Sequence, residues 1–385
     1  MNKNTIVMPA LEDRVSDFGY GYRMRCECGA VSSLSAEDYY AEKDEAHMPC
    51  EHCPRSIHFG RAVAALRDEH DPALDNTRIN TFAWYHTSTL ADWPLAVDAV
   101  TRRTELAANA HLFHLPADHI ERLVNNELNK ALHVGTYGAA IENMLRRIRN
   151  QRDDPTAFYL HRVALQISPD RVNTGYRDEN HEPVSQMTTM DLRAEGLDAV
   201  RYVNVYESMG SISLAVLPET IAWVQTLGLP ISGLTPAHNA PLVEMLNRVQ
   251  HQLDALRTCK PDTSAIRPSE LRLMQLRGDP GPDGIAAASA AHGQSVRELH
   301  SEVTAALNQQ YLTGISPRIA DNFNSAIKWR SGQTASQFAD FFAASAVALT
   351  RPDAVVTQLA SRQPRPAHLG IASASDVSDP PSRAT

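Results

Sequence analysis

The sequence predicts an α+β chain with a cysteine-bearing module first, a mixed region of short strands and helices next, and a helical region last. Three observations carry this. Four of the five cysteines form two close pairs ahead of residue 54. Between residues 71 and 230, short runs of strand character alternate with amphipathic stretches. From 231 to 350 the apolar residues recur at helical spacing.

The length of 385 residues suggests two or three domains, and a hydrophobic content of 43% is enough for a core. A net charge of −9 and an aromatic content of 6% argue against a broad nucleic-acid surface, although a local basic face is compatible with both. Met1 to Ala10 carry no apolar run of signal-peptide length, and no segment reaches ~18 consecutive apolar residues. The expectation is a soluble, cytoplasmic protein without a membrane partner. In a reducing compartment, clustered cysteines are metal ligands rather than disulfides.

Residues 1–70 hold Arg25-Cys26-Glu27-Cys28-Gly29 and Pro49-Cys50-Glu51-His52-Cys53-Pro54. Two thiolate pairs on tight turns supply the four corners of a tetrahedral zinc site, a zinc ribbon or knuckle with Cys26, Cys28, Cys50 and Cys53 as ligands. Gly29 and Pro54 suit those turns. The first pair is one residue tighter than the usual knuckle, so His47, His52 or His58 stay open as substitute ligands. Four thiolates close the coordination sphere, which makes the metal structural. Cys259 stands alone and is read as structural or inert.

In the mixed region, Thr81 to His86 reads as a strand. Pro116 to Leu132 reads as a helix, with Asp118 and Glu121 resembling a capping pair. Ala139 to Ile148 is a second helix, and Phe158 to Ile167 a buried strand. Asp191 to Gly196 is a short helix closed by glycine. Two strands follow, joined by a turn that carries Glu207, with Asn204 bracing it and Gly210 letting the backbone reverse. The helical region shows stripes through Leu242, Met245, Leu246, Val249, Leu253 and Leu256, through Val296, Leu299, Val303 and Leu307, and through Phe338, Phe341, Phe342 and Val347. Arg277 to Gly284 is a loop. Residues 351–385, rich in Pro, Ser and Ala, are expected to be disordered.

Three segments point to chemistry. Trp84-Tyr85-His86-Thr87-Ser88-Thr89 ends a strand. Leu132-His133-Val134-Gly135-Thr136-Tyr137-Gly138 precedes a helix and then the strand Phe158 to Leu165. Leu197 to Ile221 contains Tyr202-Val203-Asn204-Val205-Tyr206-Glu207 and Ser213-Leu214-Ala215-Val216-Leu217-Pro218. In this order, over roughly residues 80–225, they resemble the ADP-ribosyltransferase-like domains of the diphtheria-toxin and poly-ADP-ribose-polymerase branch. The resemblance implies a split β-sheet domain over 71–230 with NAD as substrate. It implies that Glu207 stabilises the cationic ribose as nicotinamide leaves, that His86 hydrogen-bonds NAD with Thr87 and Ser88 beside it, and that Tyr137 or His133 walls the nicotinamide. The usual Gly-x-Tyr-Phe wording is missing at Tyr137, so that choice stays open. A macromolecular acceptor, protein or nucleic acid, and a phage-borne or toxin-type effector setting are also implied. Rival expectations are an NAD glycohydrolase, an RNA 2′-phosphotransferase on the same scaffold, and a non-enzymatic zinc-containing binding protein. No Gly-x-Gly-x-x-Gly after a strand, phosphate loop or Gly-x-Ser-x-Gly elbow occurs.

Overall fold

A computed structural model describes residues 10–15, 17–41, 46–94, 104, 116–182 and 184–367. The chain opens with β1 (Glu12–Asp13), β2 (Tyr22–Arg25), β3 (Val31–Leu34), α1 (Ala36–Ala41), β4 (His47–Pro49) and β5 (Ser56–His58). β2 pairs with β3 and β4 with β5, giving two small antiparallel hairpins.

The mixed region contains β6 (Phe82–Ser88), α2 (Ala117–Leu128), β7 (Leu132–Val134), α3 (Tyr137–Gln151), β8 (Tyr159–Leu165), β9 (Arg177–Asp178), α4 (Thr189–Ala194), β10 (Ala199–Val203), β11 (Ile212–Val216) and β12 (Ile221–Gly228). Helices α5 (Ala240–Thr258), α6 (Pro268–Arg277), α7 (Ile285–Tyr311), α8 (Pro317–Ala326), α9 (Ala335–Thr350) and α10 (Pro352–Ala360) follow, and β13 (Arg365–Pro366) closes the described chain. No helix among the described residues is long and apolar enough to cross a membrane.

Two sheets organise the mixed region. One runs β1-β6-β8-β12-β13 and the other β7-β11-β10-β9. Alternation along the strands explains how they face each other. Phe82, Trp84, Val163, Leu165 and Val224 from the first sheet share a core with Val134, Leu214, Val216 and Val203 from the second. The opposite face of the second sheet buries Val200, Tyr202 and Ala215 with Leu192 of α4. The sheets meet where Tyr85 and Gly135 exchange two backbone hydrogen bonds of 2.8 and 2.9 Å, and part on either side of that bridge.

Helix α3 crosses the other face of the first sheet. Thr136 caps it by accepting from Ala139 N, and Ile141, Met144, Leu145 and Ile148 form its apolar stripe. That stripe belongs to one continuous core with Tyr20, Tyr22 and Met24 of the cysteine module and with Phe323, Phe338 and Phe342 of the helical region. The three regions read separately in the sequence therefore share a hydrophobic core. A buried polar group ties them too: Glu142 of α3 accepts from Tyr20 Oη at 2.5 Å, burial pushes its carboxyl up, and Arg318 of α8 opposes that shift.

Two expectations need correction. Asp118 lies inside the first turn of α2 and pairs with Arg122 rather than capping. Residues 352–367 are not a disordered tail. Helix α10 buries Val355, Val356 and Leu359, and β13 pairs with Trp223 and Val224 of β12. Residues 368–385 lie outside the described residues.

Candidate functional site

The cysteines come together first. Cys26 starts the β2–β3 turn, where Gly29 takes a φ of 89° and Cys26 N donates to Ala30 O at 2.8 Å. Cys50 starts the β4–β5 turn, with Cys50 N donating to Arg55 O. The four Sγ atoms of Cys26, Cys28, Cys50 and Cys53 lie within 4.8 Å of one another, with Cys26–Cys53 at 3.7 Å and Cys28–Cys50 at 3.8 Å. A tetrahedron with Zn–S bonds of about 2.3 Å has edges of about 3.8 Å, so the group can hold a metal ion such as zinc. The His52 backbone N–H approaches Cys50 Sγ at 3.4 Å, and chiefly for that reason the thiol is drawn down to about 6. His47, His52 and His58 are outside the group. Cys259 is exposed.

The second candidate is a cleft at the split between the sheets. It is lined by Tyr85, His86, Thr87, His133, Gly135, Asn143, Tyr202, Asn204, Glu207 and Ser213, among others. Its volume is about 70 Å³, small against the roughly 300–1,000 Å³ of whole-ligand pockets. It is too small to enclose an entire dinucleotide. Gly135 keeps the floor open, because a Cβ there would collide with Ser213 Oγ and sit 3.0 Å from Ala139 Cβ.

Glu207 enters this cleft from the turn between β10 and β11 and is 6% exposed. Asn204 shapes the turn, donating from Nδ2 to Ser211 Oγ at 2.9 Å and Ser213 Oγ at 2.7 Å. Helix α3 supplies the partners of the carboxylate. Asn143 Nδ2 donates to Oε1 at 3.1 Å, and Arg146, one turn along, makes an ion pair with the same oxygen at 2.5 Å. A second acid, Glu179, accepts from Val205 N at 3.0 Å. Burial, with a smaller push from Glu207, raises its carboxyl to about 7.

The histidines sit opposite. His86 stacks on Trp93 with ring centroids 4.2 Å apart, and its Nδ1 lies 2.8 Å from His133 O. A carbonyl only accepts, so Nδ1 carries the proton and Nε2 is a free lone pair. His133 Nδ1 lies 3.0 Å from Tyr202 Oη, while His133 Nε2 is buried without a partner among the described residues. Burial drives both imidazoles down to about 4, so both are neutral at pH 7.

Of the residues singled out in the sequence, Glu207, His86, Thr87 and His133 meet in the cleft. Thr87 Oγ1 donates to Ala140 O at 2.8 Å, and Ser88, buried, accepts from Leu90 N. Tyr137 does not wall the cleft. It is fully buried, packs edge-on against Phe18 and Tyr85, and donates its hydroxyl to Ala348 O at 2.8 Å. As the first residue of α3 it faces the helical region, and the tyrosines that line the cleft are Tyr85 on β6 and Tyr202 on β10. Asn143, Arg146, Trp93 and Tyr202 were not legible as site residues. For the first two, the signal was their three-residue spacing on α3.

Comparison with protein-family models, with curated proteins and with solved structures found no match.

Proposed function

We propose that this chain transfers ADP-ribose from NAD to a macromolecular acceptor, protein or nucleic acid. The reading is carried by one observation: Glu207, His86 and His133, far apart in sequence, line a single cleft. Two sheets that part at the Tyr85–Gly135 bridge are in keeping with the split-sheet domain that the sequence resembles.

In the reaction, the bond between ribose C1′ and the pyridinium nitrogen breaks, and its electron pair goes to nicotinamide. Positive charge spreads over the ribose ring. The Glu207 carboxylate faces that charge and stabilises it more than it stabilises ground-state NAD. With Asn143 and Arg146 on Oε1, Oε2 is the oxygen for a ribose hydroxyl. His86 Nε2, a neutral acceptor, takes a hydrogen bond from a second hydroxyl. His133 Nε2 is an unmatched buried polar atom, and in the tautomer where Nδ1 accepts from Tyr202 Oη it donates to the carboxamide oxygen of nicotinamide. The acceptor nucleophile then attacks C1′, and its proton passes to water. The cleft's own imidazoles carry no charge at neutral pH, which favours a cationic pyridinium over an anionic ligand.

The four-cysteine group would hold a structural zinc ion through Cys26, Cys28, Cys50 and Cys53, supplying folding energy and no open coordination position. A second reading, a binding protein without chemistry, is favoured by the close pairing of Glu207 with Arg146. Incubation with labelled NAD and a cell extract, beside Glu207→Gln, separates these. Labelled acceptor with the parent protein alone supports transfer. Free ADP-ribose without labelled acceptor supports hydrolysis, and equal labelling by both proteins removes Glu207 from the mechanism.

A further inference from the structure

The turn that presents Glu207 is built under strain. Ser208, fully buried, holds a φ of 43°, a left-handed conformation that a residue with a side chain adopts only when its surroundings fix it. Gly210 follows with φ 83°. Within the turn, Gly210 N donates to Asn204 O at 2.8 Å and Ser211 N to Ser208 O at 2.9 Å, and a further set of ties comes from outside the two strands it joins. Residues 64–67 leave the cysteine module as a strap. Ala65 N donates to Arg23 O on β2, and Arg67 N donates to Gly210 O, both at 2.8 Å. The Arg67 side chain then reaches over the turn. Its Nη2 donates to Ser208 Oγ at 3.1 Å and to Met209 O at 2.8 Å, and its guanidinium lies over the Tyr20 ring at 3.6 Å. Tyr20 is itself anchored to Glu142 of α3, the helix that also carries Asn143 and Arg146.

We propose that Arg67 is the positioning residue that holds the Ser208–Gly210 turn so that Glu207 faces the cleft. The inference rests on the ADP-ribosyl transfer reading for its catalytic consequence, but not for its structural content. A planar guanidinium can bridge a hydroxyl and a carbonyl while lying flat on a ring, and a lysine ammonium cannot. Displacing a reacting group by about 1 Å costs on the order of 10²-fold in rate.

The test measures nicotinamide release from NAD by Arg67→Ala and Arg67→Lys, together with amide hydrogen exchange across residues 205–211. Arg67→Ala lowers kcat about 10²-fold with KM little changed. Millimolar guanidinium restores part of the rate, Arg67→Lys stays near the alanine variant, and the turn amides exchange faster in both variants. Parent-like kcat in Arg67→Ala overturns the proposal, as does full recovery in Arg67→Lys. Should the parent protein release no nicotinamide, the transferase reading fails by itself. Exchange at 205–211 then decides: faster exchange in Arg67→Ala confined to the turn upholds the positioning role, and unchanged exchange ends it.

Discussion

Replacing His86 by asparagine will flatten the acid limb of the protein's stability profile. The half-buried ring stacks on Trp93, and its desolvation there pushes it from an ordinary value near 6.5 down to about 4. Between those values the unfolded chain binds a proton that the folded chain refuses, so stability falls as pH drops. The loss begins near pH 6.5, where the unfolded ring starts to protonate, and levels off below about pH 4. From about pH 7.5 to about pH 5 the gap is about 1.5 units, or about 2 kcal/mol at 1.36 kcal/mol per unit. Asparagine keeps a donor for His133 O and has no such titration. Its lost stacking on Trp93 is the same at both pH values and cancels. Glu179, held up at about 7, has the opposite slope: its folded form takes up a proton first, so its contribution falls as pH rises from about 4.5 to 7. It is common to both proteins and drops out of the difference. Denaturant unfolding at the two pH values is the assay. The parent protein is expected to lose about 2 kcal/mol more than His86→Asn on acidification. Equal losses would mean the imidazole is not held neutral, and its assignment as a lone-pair acceptor would fail with it.

Stripping the metal with a chelator, or Cys50→Ser, is expected to release one zinc per chain by metal analysis and to expose the Tyr20–Tyr22–Met24 part of the shared core, seen as a cooperative loss of thermal stability. An unchanged melting curve would separate the cysteine group from folding. Truncation after residue 350 removes α10 and β13, which bury Val355, Val356 and Leu359 and bring Arg365 to Trp93 O at 2.6 Å. At ~1.5–3 kcal/mol per buried side chain, the truncated chain is expected to lose roughly 5 kcal/mol, measured by denaturant unfolding. A loss near zero would restore the reading of that segment as a dispensable tail.

The long elements were legible in the sequence because periodicity repeats within them. The stripe from Leu242 to Leu256 became α5, and the one from Ile141 to Ile148 became α3. The Glu207 turn was legible through its flanking strands and Gly210. Very short strands were not: β1, β9 and β13 are two residues each and β7 is three, too few to show a period. Residues 351–367 were misread because the whole stretch 351–385 is rich in Pro, Ser and Ala, while Val355, Val356 and Leu359 sit at helical spacing within it. Tyr137 was misjudged on direction. It is near Gly135 in the chain, but the start of α3 turns its ring toward Phe18. Arg67 and Arg146 act across long sequence separations, and no local pattern marks which turn or carboxylate they will meet.

The central claim is that Glu207 stabilises a ribose cation as nicotinamide departs. Nicotinamide release from NAD, compared between the parent protein and Glu207→Gln at saturating NAD, tests it most directly. The account predicts a fall in kcat of roughly 10²–10³-fold, with NAD still raising the melting temperature of both proteins. Equal rates, or an NAD that shifts neither melting curve, would contradict it.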